Sequence, residues 1–149
     1  MDNSNLKLVI ALTKTYNLLI TQLNQQVAKF DLSLTEFGVL EMLYHKGKQP
    51  VQKIAEKILV TSGTITYVID QLEKKKYVIR EKCTNDKRIT YVQLSDFGKN
   101  QIEVVFPDHV RYLNDLFQSM EETKKISLIS DLKLMQKSVH TLIESDSYD

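Results

Sequence analysis

With one cysteine in 149 residues the chain cannot form an internal disulfide, which fits a reducing compartment. Four glycines and two prolines are too few for a sheet-rich protein built on tight turns, and tryptophan is absent. No apolar run approaches the roughly 20 residues that cross a bilayer, so no membrane contact is expected. The first residues are polar and carry no basic stretch ahead of a hydrophobic core, so no secretory signal is read and the cytoplasm is the expected compartment. Three scattered histidines and the one cysteine give no metal-ligand spacing. There is no glycine-rich phosphate loop, and no motif gathers Ser, His and Asp. Neither metal, cofactor nor catalytic centre is therefore expected. What remains is an ordinary composition, 42% hydrophobic and 26% charged, which excludes a disordered tail.

The net charge of +1 gives no hint of a polyanionic partner. Its distribution does. Residues 1–45 carry −1, residues 46–94 carry +6 and residues 95–149 carry −4. A basic middle third between acidic flanks is the electrostatic footprint of a nucleic-acid reader, although a lysine-rich solvated surface gives the same count.

Hydrophobic spacing predicts a long first helix over 6–30, with Leu8, Leu12, Leu19, Leu23 and Val27 on one stripe. Asp31-Leu32-Ser33 breaks it. Ser33 or Thr35 can cap a second helix to about Lys46, with Phe37, Leu40, Leu43 and Tyr44 on one face and Gly47 as its stop. Pro50 opens a short third helix over 51–59 with Ile54, Ala55 and Ile58 inward. Thr61 or Ser62 starts a fourth, to about Lys75, striped by Ile65, Val68, Ile69 and Leu72. The period then changes. Strand formers over 77–83 and alternation over 88–94 flank the polar turn Thr84-Asn85-Asp86-Lys87, which predicts one β-hairpin. Ser95-Asp96-Phe97-Gly98 caps a fifth helix that runs to about Met120, with Pro107 kinking or splitting it. A sixth spans 122–143, with Ile126, Ile129, Leu132, Met135, Val139 and Leu142 inward. The fold class is mainly α with one β-hairpin. It reads as a winged helix-turn-helix over 34–94, flanked by amphipathic helices over 1–33 and 95–149 that bury their faces best against a second copy.

Leu72-Glu73-Lys74-Lys75, Arg80, Asp86-Lys87-Arg88 and then Leu94-Ser95-Asp96-Phe97-Gly98 resemble the MarR family of bacterial transcriptional regulators. A recognition helix ending in LE(K/R), a wing with D-x-R and a strand closing in L(T/S)xxG occur in order and cover about 30 residues. The resemblance extends over nearly the whole chain. Lys76 departs from the family's usual glycine at the helix C-cap, so either the turn after the fourth helix is less sharp or Lys76 is left-handed at some cost. Leu43 to Gly47, Gln49-Pro50 and Ser62 to Val68 look like the branch of repressors that respond to quinones and hydroquinones.

The resemblance implies a homodimer on double-stranded DNA with an inverted-repeat operator, and no enzyme activity. Ser62, Thr64, Thr66 and Tyr67 would face the major groove. They lack the Arg or Asn that makes bidentate base contacts, so this helix would read weakly or by shape. Arg88 would enter a minor groove with Asp86 orienting it. Lys74, Lys75, Arg80, Lys82 and Lys87 are candidate phosphate contacts. A small phenolic or quinone-type effector is expected among Tyr16, Phe37, Glu41, Phe106 and His109, although Phe37 and Phe106 also read as plain core. Cys83, flanked by basic residues, is the thiol-sensing alternative or simply a strand residue. A winged-helix module that docks a protein partner is the remaining alternative.

Overall fold

The structure, a computed structural model, describes residues 3–58 and 62–146, with side chains described except at Ser62 and 144–146. Leu59 and Thr61, expected at the end of the third helix and the start of the fourth, lie outside the described residues. The elements are α1 (Ser4–Ala28), α2 (Leu34–Lys46), β1 (Gln49–Pro50), α3 (Val51–Ile58), α4 (Ser62–Lys74), β2 (Val78–Lys82), β3 (Thr90–Leu94), α5 (Asp96–Leu116) and α6 (Glu122–Asp146). The chain divides into two compact units after Val110, within α5.

Local chemistry sets the helix ends of the first unit. Asn3 caps α1, its side-chain oxygen accepting from the N–H groups of Asn5 and Leu6. Ser33 and Glu36 form a reciprocal capping box on α2, at 3.1 and 2.7 Å. Gly47 stops α2 at φ 69°. The core is made of Leu40 and Val39 from α2, Ile54 from α3, Ile65, Ile69 and Leu72 from α4, Val92 from β3, and Ile102 and Val105 from α5. The stripe expected on the fourth helix is thus buried. Tyr44 is not: it stays 38% exposed, its ring beside those of His45 and Phe106.

The expected hairpin forms between β2 and β3, with Val78 opposite Leu94 and Lys82 opposite Thr90. A third strand joins it. Gln49 pairs with Val92 and Pro50 with Tyr91, so the sheet order is β1-β3-β2 and all pairs are antiparallel. Two residues are too short to show alternation, and a proline is tolerated only at a sheet edge, so the sequence pattern carried no strand signal there.

The α4–β2 junction departs from ordinary backbone geometry. The N–H of Lys76 donates to the Glu73 carbonyl and that of Tyr77 to the Leu72 carbonyl, both at 2.9 Å. This is a Schellman closure, and it needs a left-handed residue at Lys76, which sits at φ 62°. A side chain there costs about 1 kcal/mol. Lys76→Gly is therefore expected to raise stability by about 1 kcal/mol in urea unfolding, and an unchanged midpoint would remove the strain argument.

The outer helices behave differently from their sequence pattern. On α1, Val27 is buried and Leu12, Leu19 and Leu23 are half-buried, but Leu8 is 50% exposed, with Leu6, Val9 and Ile10 exposed beside it. In the second unit, α6 leaves Ile126, Ile129, Val139 and Leu142 exposed, and only Leu132 and Met135 are half-buried. These residues were expected inward. Pro107 neither splits nor ends α5, which continues to Leu116.

Candidate nucleic-acid interface

One face of α4 packs into the core through Ile65, Val68, Ile69 and Leu72, which turns Gly63, Thr64, Thr66 and Tyr67 outward. Tyr67 is 64% exposed, a large uncovered aromatic beside Gly63, Thr64 and Thr66. Ser62 begins the helix, and its side chain lies outside the described residues. Lys74 is exposed at the far end.

The wing tip is tightly constrained. The Cys83 N–H donates to the Ile89 carbonyl at 2.9 Å, and the Ile89 N–H donates to the Asp86 carbonyl at 3.0 Å. Within that loop Asp86 holds Arg88 three ways. Its Oδ1 accepts from the Arg88 backbone N–H and from Nε, and its Oδ2 accepts from Nη2, each at 3.0 Å. The Arg88 guanidinium keeps the Asp86 carboxyl below the usual carboxylate range, helped by the backbone bond. Yet the Arg88 side chain remains 90% exposed. An arginine fixed at its base and open to solvent at its end is pre-organised to meet an anion, because its rotamer freedom is already spent. Lys87 is exposed beside it.

Two other candidate phosphate contacts have structural partners. Arg80 reaches across to α4, with Nη2 2.5 Å from Asp70, Nη1 2.6 Å from Glu73 and a further bond to the Thr66 carbonyl. It fastens the wing's first strand to the recognition helix. Lys75 bonds the Asp31 carbonyl at 2.5 Å and the Glu36 carboxylate at 3.0 Å, which ties the end of α4 to the capping box of α2. A groove of about 550 Å³ runs between α3, α4 and the wing, and Thr66, Arg80, Lys82 and Arg88 line it. Gln52 and Thr90 line it too, and sequence reasoning missed both. For Gln52 the only sequence signal was a polar residue at the start of the helix before the recognition helix, and for Thr90 its place in the alternating stretch 88–94.

The five candidate effector residues are not brought together in either the cleft of about 780 Å³ or the groove of about 550 Å³. Phe37 is core, 2% exposed, and its ring lies 4.5 Å from that of His109. Phe106 stacks near His45 at 4.9 Å. Tyr16 is 62% exposed on α1. Glu41 alone of the five lines the larger cleft between α2 and α3. His109 belongs to a buried polar network. Its Nδ1 lies 2.7 Å from Gln26 Oε1, and Gln26 Nε2 donates to Asp108 at 3.2 Å. With the amide so oriented, Nδ1 carries the proton and donates. Burial pushes the His109 pKa down, against the opposing pull of Glu41 and Asp108.

That lowered value fixes a sign. The unfolded imidazole takes up a proton near its ordinary 6.5 while the folded one resists, so stability falls as pH drops below that value until the lowered folded value is passed. Urea midpoints at about pH 7.5 and about pH 5.5 should differ in the wild type, and less in His109→Gln. An equal pH dependence in both would assign the effect elsewhere.

Cys83 is half-buried, with its backbone closing the wing. Arg80, expected to act on its thiol, is engaged with two carboxylates. Among the described residues no group of three His, Cys, Asp or Glu could hold a metal, and no helix is long and apolar enough to cross a membrane.

Comparison with known proteins extends this geometry. The MarR family model matches residues 32–90, which include the capping box, α2 to α4, β2 and the wing tip. The HTH-type transcriptional regulator MhqR of Bacillus subtilis is 41% identical over 122 residues, 82% of this chain and 84% of that protein. Among solved structures, AbsC, a MarR family transcriptional regulator from Streptomyces coelicolor, superposes with a TM-score of 0.84 at 20% identity, covering 95% of this chain and 97% of that one. NadR, solved in complex with 4-hydroxyphenylacetate, superposes at 0.69 and 20% identity, covering 85% and 89%.

Proposed function

The chain belongs to the MarR family of DNA-binding transcriptional regulators, which are not enzymes, and from that premise we propose that it is a cytoplasmic homodimeric repressor of an inverted-repeat operator. The arginine held by Asp86 yet 90% exposed at the wing tip carries the reading. Thr64, Thr66 and Tyr67 enter the major groove, with Ser62 at the start of the helix, and Arg88 enters the flanking minor groove. Lys74, Lys82 and Lys87 position the wing and helix on phosphates, while Arg80 and Lys75 hold the elements that carry them.

Residues 34–94 form the reading domain, and residues 1–33 and 95–149 form the dimer arms. The exposed apolar faces of α1 and α6 support that assignment, since monomeric proteins seldom leave such stripes uncovered. Two-fold symmetry then places the two α4 helices about one DNA turn apart. The inducer is a small phenolic or quinone-type molecule, supported by the resemblance to the quinone-responsive branch and by the phenolic acid bound to NadR. It binds near Tyr16, Phe37, Glu41, Phe106 and His109 once the second chain completes the site. To release DNA it must bind the two conformations with different affinity.

Fluorescence anisotropy on the chain's own upstream region tests the reading. Affinity should fall steeply with salt and depend on both half-sites, and a phenol and quinone panel should release the complex. Binding to one half-site as tightly as to two would refute the symmetric dimer. Cys83→Ser should still release DNA with inducer, and loss of response would instead favour the thiol.

A further inference from the structure

We propose that the cleft between α2 and α3 binds an amphipathic organic anion, a carboxylate or phosphate ester with a short apolar body. This rests on the fold alone and not on the DNA reading. The cleft encloses about 780 Å³, within the range of small-molecule sites. Met42 of α2 and Ile58 of α3 give it an apolar lining, and Gly38 places no side chain in it.

Its rim carries charge of mainly one sign. Lys46, Lys53 and Lys57 all line the cleft. Lys53 and Lys57 stand one turn apart on α3, where like charges repel. Four other cations of the basic module have carboxylate partners: Lys48 pairs with Glu81, Lys75 with Glu36, Arg80 with Asp70 and Glu73, and Arg88 with Asp86. The ammonium groups of Lys46, Lys53 and Lys57 make no ion pair or hydrogen bond among the described residues. Glu41 is the one carboxylate on the wall, and its charge also acts on His109. The lining is therefore net cationic.

An anion here would relieve the repulsion between the lysines, and an apolar body would cover Met42, Ile58 and the lysine stems. Inorganic phosphate satisfies only the rim, and a neutral apolar molecule only the lining.

Calorimetric titration of the DNA-free full chain distinguishes these terms. Octanoate and octyl phosphate are the two anionic probes, and their relative affinities separate a carboxylate from a phosphate ester source. Both octanol and inorganic phosphate should bind at least about tenfold more weakly than the better anionic probe. The double variant Lys53→Gln/Lys57→Gln should weaken that probe about tenfold, since two partly exposed ion pairs are lost. Its affinity for DNA should stay within about twofold of wild type. The proposal fails if octanol binds as tightly as octanoate and octyl phosphate, if neither anionic probe saturates, or if the double variant binds them unchanged. It also fails if the double variant loses DNA affinity while neither probe binds, since the lysines would then be phosphate contacts.

Discussion

Arg88→Ala should weaken operator binding about 10- to 100-fold while the dimer sediments unchanged. Asp86 fixes Arg88 through its backbone N–H, Nε and Nη2, so the side chain is held in place before DNA arrives. A free arginine would lose rotamer entropy on entering a narrow groove, and this one loses less. Asp86→Ala makes the sharper test, because two effects oppose each other. Removing a negative charge from the interface should raise DNA affinity by simple electrostatics. Releasing the arginine should lower it. The orienting role predicts a net loss, smaller than that of Arg88→Ala. A gain would mean that Asp86 does not position the arginine. Lys74→Ala should instead weaken binding about equally on all sequences and reduce the salt slope by about one, as a phosphate contact does. Anisotropy titrations at several salt concentrations separate the three variants. Near wild-type affinity for Arg88→Ala at physiological salt would remove the wing from the interface.

The parts of this site that were legible in the sequence are local. The α4 stripe of Ile65, Val68, Ile69 and Leu72 follows from a 3.6-residue period, and it fixes which hydroxyls face outward. The wing was legible from strand alternation around a polar turn, and Asp86 lies only two residues from the arginine it holds. The capping box of Ser33 and Glu36 spans three residues and was half seen, as a cap at Ser33 or Thr35 without its Glu36 partner. What could not be read depends on distant side chains. Lys75 finds Glu36 across 39 residues, and His109 finds Gln26 across 83. Periodicity says that a residue is polar or basic, but not which carboxylate lies within its reach. The strand Gln49–Pro50 was illegible for another reason: it is defined by pairing to β3 and not by its own composition. The outer helices stand between these cases. Their apolar stripes are plain in the sequence, but periodicity does not say what covers them, and Leu8 and most of the α6 stripe stay exposed.

Gly98→Ala should destabilise the protein by about 3 kcal/mol or more, and lower the thermal midpoint by roughly 10 °C. Helix propensity alone predicts the reverse, since alanine in a helix is favoured over glycine by up to about 1 kcal/mol. The contact outweighs it. A Cβ at Gly98 would stand 1.8 Å from the Tyr77 carbonyl oxygen and 2.9 Å from Tyr77 Cα. Both are backbone atoms, so no side chain can swing aside. Nor can that segment retreat. The Tyr77 N–H closes α4 on the Leu72 carbonyl, and the Tyr77 carbonyl accepts from the Ser95 N–H at 3.0 Å. Ser95 Oγ donates to the Lys76 carbonyl at 2.6 Å and accepts from the Gly98 N–H at 2.9 Å. One short stretch of backbone therefore ends the recognition helix and seats the start of α5. Gly38→Ala provides the control, because a Cβ there meets only Ile58 Cδ1 at an ordinary 3.9 Å. It should stabilise by up to about 1 kcal/mol, so the same substitution in two helices is expected to have opposite signs. Equal effects in urea unfolding would mean that the Tyr77 contact relaxes, and that the junction does not set the seating of α5.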